Sequence, residues 1–246
     1  MERIYCVKMD NQKVLKNIIF IGLILLADFM LARLHVDGDM LPFYDGVAYG
    51  ASMYFYMLQF FVFACYSLYM HSEFENFLYG AGVYRLVREG RKKLFWRLNA
   101  RLVALFIGIS FAQLAGYGMI KLLLAKQLYL IDRISFLHIC IVNLLAYYFV
   151  FFLQMILELW FSGRIAMYLV MLYYLFSLFA GDNLHLLGNR LSLLQFLFLP
   201  NITMRLRWEK MCSSFWMTGI EFVFLVGIII AGLFVGCKLF QQKDIV

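Results

Sequence analysis

The sequence predicts an all-α integral membrane protein with six transmembrane helices and both termini on the cytoplasmic side. Three observations predict it. Apolar residues fill 64% of the 246 positions and charged residues 15%, whereas soluble domains are roughly 45–50% apolar and about 25% charged. A core of this length cannot hide so much apolar surface from water, but a bilayer accepts it. The apolar residues also gather into runs near the length of about 20 residues that crossing a bilayer requires. Finally, aromatics reach 19% with only two prolines, which suits long helices with Trp and Tyr near their interfaces.

The first span covers about residues 14–33 and the second about 47–70. The third covers 102–124, the fourth 137–159, the fifth 165–180 and the sixth 215–240. Ser162-Gly163-Arg164 interrupts the pattern after the fourth span, and Gly181-Asp182-Asn183 ends the fifth. Leu191–Leu199 is apolar but only nine residues long before Pro200, too short to cross. It reads as a short outer re-entrant or interfacial helix before the last span. The chain is thus one six-span domain over 1–246, with an inner connection at 71–101 and an outer segment at 181–214. The first apolar run is longer than the core of a cleavable signal peptide, and no small-residue cleavage site follows it.

Basic residues in short connections set membrane orientation. With the N-terminus inside, fourteen Lys and Arg residues fall on the inner side and eight on the outer side. The net charge of +7 is therefore a topology signal and not a nucleic-acid signature. Cys6, Cys65, Cys140, Cys212 and Cys237 are scattered, with no CxxC spacing, and read as small hydrophobes.

The connection 71–101 carries the strongest functional signal. Ser72 can cap a helix whose first turn holds Glu73 and Glu75, and Phe74, Phe77, Leu78 and Ala81 form an apolar stripe at helical spacing. Gly80 and Gly82 weaken or break that helix. A basic run from Arg85 to Arg101 follows. It fits a juxtamembrane surface on anionic lipid headgroups, or a short amphipathic helix that docks on a cytoplasmic partner.

Three motifs carry a resemblance that covers most of the chain. They are Arg88-Glu89-Gly90-Arg91-Lys92-Lys93-Leu94-Phe95-Trp96 ahead of the third span, Leu199-Pro200-Asn201-Ile202-Thr203-Met204-Arg205 before the last, and Phe240-Gln241-Gln242-Lys243-Asp244-Ile245 in the tail. In this order and spacing the chain resembles the membrane subunits of type-2 ABC exporters. It is most similar to the small permeases of bacterial lantibiotic and bacteriocin immunity systems. Gln241 departs from the basic residue often found there. The resemblance implies a multi-pass subunit of the bacterial plasma membrane, served by two copies of a separate ATPase that binds ATP and Mg. It implies a cytoplasmic coupling helix between the second and third helices that enters a groove on that ATPase. It also implies a second permease, identical or homologous, across a shared path. Glu75, Phe77, Tyr84, Arg85 and Arg88 are then the residues expected to face the ATPase. The sequence contains no GxxxxGK[ST] phosphate loop, in keeping with a chain that binds no cofactor and leaves hydrolysis to its partner.

Charged residues within hydrocarbon are costly and mostly face protein or water. Asp28, Glu158 and Glu221 are in this position. By the helical rise, Asp28 lies about 18 Å above the inner face and Glu221 about 9 Å below the outer face. They either snorkel and pair with Arg33 or Lys210, or line the outer part of a path that attracts a cationic peptide. Gln59, Gln113, Asn143 and Gln154 read as interhelical hydrogen-bonding groups. His35, His71, His138 and His185 are far apart, and neither HExxH nor GxSxG occurs, so no enzymatic constellation is expected. Asn201-Ile202-Thr203 matches a glycosylation sequon that arises readily by chance. The expected function is an ABC exporter permease for antimicrobial peptide export or immunity. The alternative is a stand-alone membrane immunity or scaffold protein that works without ATP coupling.

Overall fold

The computed structural model describes residues 15, 18–26, 29–30, 46–79, 90–123, 133–186, 194, 197–211 and 215–242. Residues 18–26 are helical. The helices that follow are α1 (Met53–Tyr79), α2 (Arg91–Leu123), α3 (Arg133–Leu157), α4 (Gly163–Leu186), α5 (Leu199–Ile202), α6 (Arg205–Met211) and α7 (Phe215–Gln242). No strand occurs among the described residues. Five helices are long and apolar enough to cross a membrane: α1 over Met53–His71, α2 over Arg91–Gly116, α3 over Leu137–Leu157, α4 over Gly163–Leu184 and α7 over Gly219–Gln242. Of the span predicted at 14–33, the central residues 18–26 are helical, and much of the remainder lies outside the described residues.

Three helix boundaries differ from the sequence reading. First, α1 runs unbroken to Tyr79, so Ser72 lies inside a helix and does not cap a new one. No Gly or Pro stands between Met53 and Tyr79, so nothing local ends the helix where its hydropathy falls. Second, α2 begins at Arg91, eleven residues before the span predicted at 102–124. Gly90 precedes it at φ +77°, a left-handed conformation that glycine adopts without a steric penalty. Leu94, Phe95, Leu98 and Leu102 are at most 1% exposed. That buried stripe gives the basic segment a packing reason to be helical, while Lys92, Lys93, Trp96 and Arg97 face outward. Third, Gly181-Asp182-Asn183 lies within α4. A Cβ on Gly181 would come within 2.7 Å of the Asn201 amide and 2.8 Å of Arg207 Nη1. This glycine allows a close approach instead of ending the helix.

The centre of the bundle is α3, which packs against α1, α2, α4, α5 and α7. In its span 67% of the residues are buried, against 22% for α7. Between helices in lipid, van der Waals packing and hydrogen bonds replace the hydrophobic driving force. The packing here is aromatic. Phe63 stacks on Tyr174 at 3.8 Å between centroids and lies 5.4 Å from Phe151, and Phe106 stacks on Phe151 at 5.1 Å. Gly232 and Gly236 on α7 form a GxxxG pair. Their missing side chains leave room for Phe149 and Phe152 of α3, which a Cβ would meet at 2.7 and 2.6 Å. Cys65 is buried, and Cys140 and Cys237 are half-buried; all three are free thiols.

Candidate functional site

After α4 the chain returns into the bundle through two short helices. Pro200 sits in the first turn of α5, where its missing N–H costs nothing. All four residues of α5 are buried. Thr203 closes the turn by donating from Oγ1 to the Pro200 carbonyl at 2.7 Å. Asn143 of α3 donates to the Thr203 carbonyl at 3.2 Å. The next helix, α6, then delivers Arg207 to the protein interior.

Arg207 has no exposed surface, and every one of its guanidinium N–H groups is used. Its Nε donates to the Val47 carbonyl at 2.8 Å. Its Nη1 donates to the Leu178 carbonyl at 3.0 Å and to Asn201 Oδ1 at 2.6 Å. Its Nη2 donates to Tyr56 Oη at 3.1 Å and to Asp182 Oδ1 at 3.0 Å. Tyr56 in turn donates to the second Asp182 oxygen. The guanidinium carbon lies 4.9 Å from the Tyr49 ring centre and 5.4 Å from that of Tyr56, within cation–π range. A buried cation is tolerated when it is both paired and hydrogen-bonded. Asp182 supplies the charge, and the Val47 and Leu178 carbonyls, the Asn201 side-chain oxygen and the Tyr56 hydroxyl supply the remaining acceptors. Arginine is the residue for this task because its rigid planar fork presents five donors in fixed directions.

Asn201 completes the node by donating to the Ser177 carbonyl at 3.0 Å. It is fully buried, so in this fold its sequon cannot serve as a glycan acceptor. Trp208 follows Arg207 and holds the other side of the bundle. Its indole N–H donates to Glu221 of α7, and its ring lies 5.1 Å from that of His138 on α3. Two successive residues of α6 therefore fasten it to α1 and α4 through Arg207, and to α3 and α7 through Trp208.

A second polar set lies toward the opposite end. Ser67 of α1 donates to Gln154 of α3 at 2.9 Å, and Gln154 donates to Glu158 at 3.4 Å. Tyr148 donates to Asn99 at 2.9 Å, joining α3 to α2. Arg91 donates to the Gln241 carbonyl at 2.6 Å, joining the start of α2 to the end of α7. Asn143 and Gln154 thus make the interhelical bonds expected of them, while Gln59 and Gln113 are buried.

Of the residues singled out from sequence, Glu221 falls at the α6 junction and is fully buried. Glu75 and Phe77 lie on the last turns of α1. Asp28, Tyr84, Arg85 and Arg88 lie outside the described residues. Sequence reasoning did not pick out Arg207, Asp182, Tyr56, Asn201, Trp208 or His138 as a site. Arg207 reads as one more connection charge, and Asp182 as part of a helix-ending triplet. The available signal is the lone acid one residue beyond an apolar run, with a basic residue beside Trp in the following segment. Among the described residues no group of three or more His, Cys, Asp or Glu could hold a metal ion. The bonds of the node position α1, α4, α5 and α6 against one another.

Long apolar helices tied together by buried polar bonds define a multi-pass helical membrane protein. The chain belongs to the family described as Protein of unknown function (DUF2705), which it matches over residues 18–246. No curated protein and no solved structure matches it.

Proposed function

We propose that this chain is the six-span permease subunit of an ABC exporter in the bacterial plasma membrane, acting in antimicrobial peptide export or immunity. The observation that carries the reading is the continuity of α1. One unbroken helix holds Tyr56, a partner of the Arg207 node, near one end and Glu75 and Phe77, from the expected ATPase-docking set, near the other. Phe77 lies twenty-one positions after Tyr56 along the helix, about 32 Å at the helical rise. A displacement imposed by a nucleotide-hydrolysing partner at the inner end is then delivered to the outer segment as a rigid-body movement. The outer mouth shifts between populations when the ATPase changes state. The fold-back of α5 and α6 before the last helix also fits the outer segment that the family resemblance implies. A second permease completes the path, with Asp28 in its outer half where a cationic peptide passes; Glu221, expected there from the sequence, has no exposed surface and is turned into the junction with α6.

The test is co-purification. The chain should bring down an ATPase encoded beside it. Reversing Arg85 and Arg88 to Glu together should lower both the recovered ATPase and its stimulated hydrolysis, by tenfold or more for two lost charge contacts of about 1 kcal/mol each. Assembly and turnover unchanged by the double reversal would reject the docking surface. Full peptide protection in cells lacking any ATPase partner would favour the stand-alone immunity reading instead.

A further inference from the structure

The basic start of α2 has no part in the coupling scheme, and its register in the helix says what it meets. Lys93, Trp96, Ala100, Ile107 and Phe111 are all exposed and recur at helical spacing, so they share one face. Phe111 is 70% exposed and Trp96 49%. The opposite face, through Leu94, Phe95, Leu98 and Leu102, is buried in the bundle. In a helix that crosses a membrane, the exposed apolar face is the one that lipid tails cover. Trp96 stands one turn before the apolar part of that face, at the depth where indole rings gather. Lys92 and Lys93 lie about one turn, roughly 5 Å, further out, within a headgroup layer roughly 5–8 Å deep on each side of the hydrocarbon. An open cleft lined by Gly90, Arg91, Lys92, Lys93 and Trp96 lies there. The turn from α3 to α4 comes to the same end of the bundle, since Phe152 of α3 packs 6.3 Å from Phe95, and it exposes Trp160, Phe161 and Arg164.

We propose that Lys92, Lys93 and Trp96 form a docking site for the headgroup of an anionic phospholipid, with the two ammonium groups on its phosphate and the indole against its glycerol backbone. Charge complementarity selects this occupant. Two adjacent exposed cations meet a phosphate ester, and the positive end of the α2 dipole adds to the attraction. Arg91 is engaged with the Gln241 carbonyl, which leaves the lysines as the flexible cations of the cleft. A lysine ammonium is a compact point charge on a four-carbon stem, suited to a headgroup that moves. Basic residues at this depth attract anionic lipid strongly enough to select it from a mixed bilayer. Because the same turns of α2 bury Leu94, Phe95 and Leu98, the lipid holds α2 at a fixed height in the membrane. The site does not depend on the exporter assignment, because it needs no partner chain.

The experiment reconstitutes the purified full chain in phosphatidylcholine vesicles that carry a small, equal fraction of either brominated phosphatidylglycerol or brominated phosphatidylcholine. Bromine quenches an indole that it touches, so tryptophan emission reports which lipid sits beside Trp96. The wild type should be quenched more by the anionic lipid, and that excess should vanish in Trp96→Phe. Lys92→Gln combined with Lys93→Gln should lower the anionic preference roughly tenfold, whereas Lys92→Arg combined with Lys93→Arg should keep it. Salt should weaken the preference in the unaltered chain by screening, so the test does not hang on the folding of a variant. Inorganic phosphate in the buffer should leave it in place. Four results overturn the site: equal quenching by both lipids, as when a protein covers the cleft; an excess that survives Trp96→Phe; a preference unchanged in the double Gln variant; or one abolished by inorganic phosphate, which would make the cleft a site for the free anion.

Discussion

At the scale of single residues, the most consequential feature is one buried arginine. Removing one partner of a buried, hydrogen-bonded charge pair leaves the other uncompensated, at a cost of about 3–5 kcal/mol. Arg207→Met should therefore destabilise the chain by that amount, read as a large fall in melting temperature in detergent. Arg207→Lys keeps the charge but offers three donors for five acceptors, and should fall between. Asp182→Asn combined with Arg207→Met removes both charges, so it should melt above Arg207→Met alone. A double variant no more stable than the single would mean that the charge pair is not what the node depends on. The node was hard to read from sequence because burial assigns its roles. Arg205 and Arg207 differ by one residue in a basic, Trp-flanked stretch, yet only Arg207 reaches the interior. Asn201 looks like a glycan acceptor until its amide is seen bonded to Ser177 and Arg207. Glu221 was legible because a carboxylate in a strongly apolar run is conspicuous in one dimension. Its neighbours His138 and Trp208 were not, since they meet it only through the packing of three helices.

At the scale of elements, hydropathy located five of the six expected spans well and helix ends poorly. The last helix matches closely, 215–240 against Phe215–Gln242, because its run is strongly apolar throughout. The ends of α1, α2 and α4 were misjudged for a common reason: hydropathy reports lipid exposure, whereas a helix persists wherever backbone bonding and side-chain packing continue. Leu94, Phe95 and Leu98 hold the basic start of α2 helical, and Gly181 serves contact in α4. The extended α1 makes its own prediction. If it is the rod that links the inner connection to the Arg207 node, breaking it between them should uncouple the two ends without dissolving either. Ser72→Pro removes a helical hydrogen bond and kinks the helix, at a cost of about 3 kcal/mol or more. The variant should still co-purify with its ATPase, while peptide-dependent stimulation of hydrolysis falls severalfold. Stimulation at the wild-type level would show that α1 is not the element that transmits the movement.

At the scale of the whole molecule, the packing sharpens the orientation. Counting every Lys and Arg gives fourteen on one side and eight on the other. Arg207 is not a connection charge, however, since it is enclosed in the bundle and paired with Asp182 at 3.0 Å. Removing it from the tally leaves fourteen against seven. The rule depends on charges that must be held back from crossing the bilayer, so a cation neutralised within the fold contributes less to the bias. The remaining basic residues concentrate at the end that holds the start of α2. Lys92, Lys93 and Arg97 face outward there, and Arg91 ties that end to the close of α7. The expected arrangement therefore puts the connection after α1 in the cytoplasm and the approach to α5 outside. Single cysteines test this in a background without the five natural ones. Val83→Cys should react with a membrane-impermeant maleimide only in inverted vesicles, and Leu191→Cys only in intact cells. The reverse pattern would place the basic connection beyond reach of any cytosolic ATPase and remove the exporter reading at its root. Labelling of both positions from one side would instead require an even number of crossings between them, and α2, α3 and α4 together with the returning segment would have to be recounted.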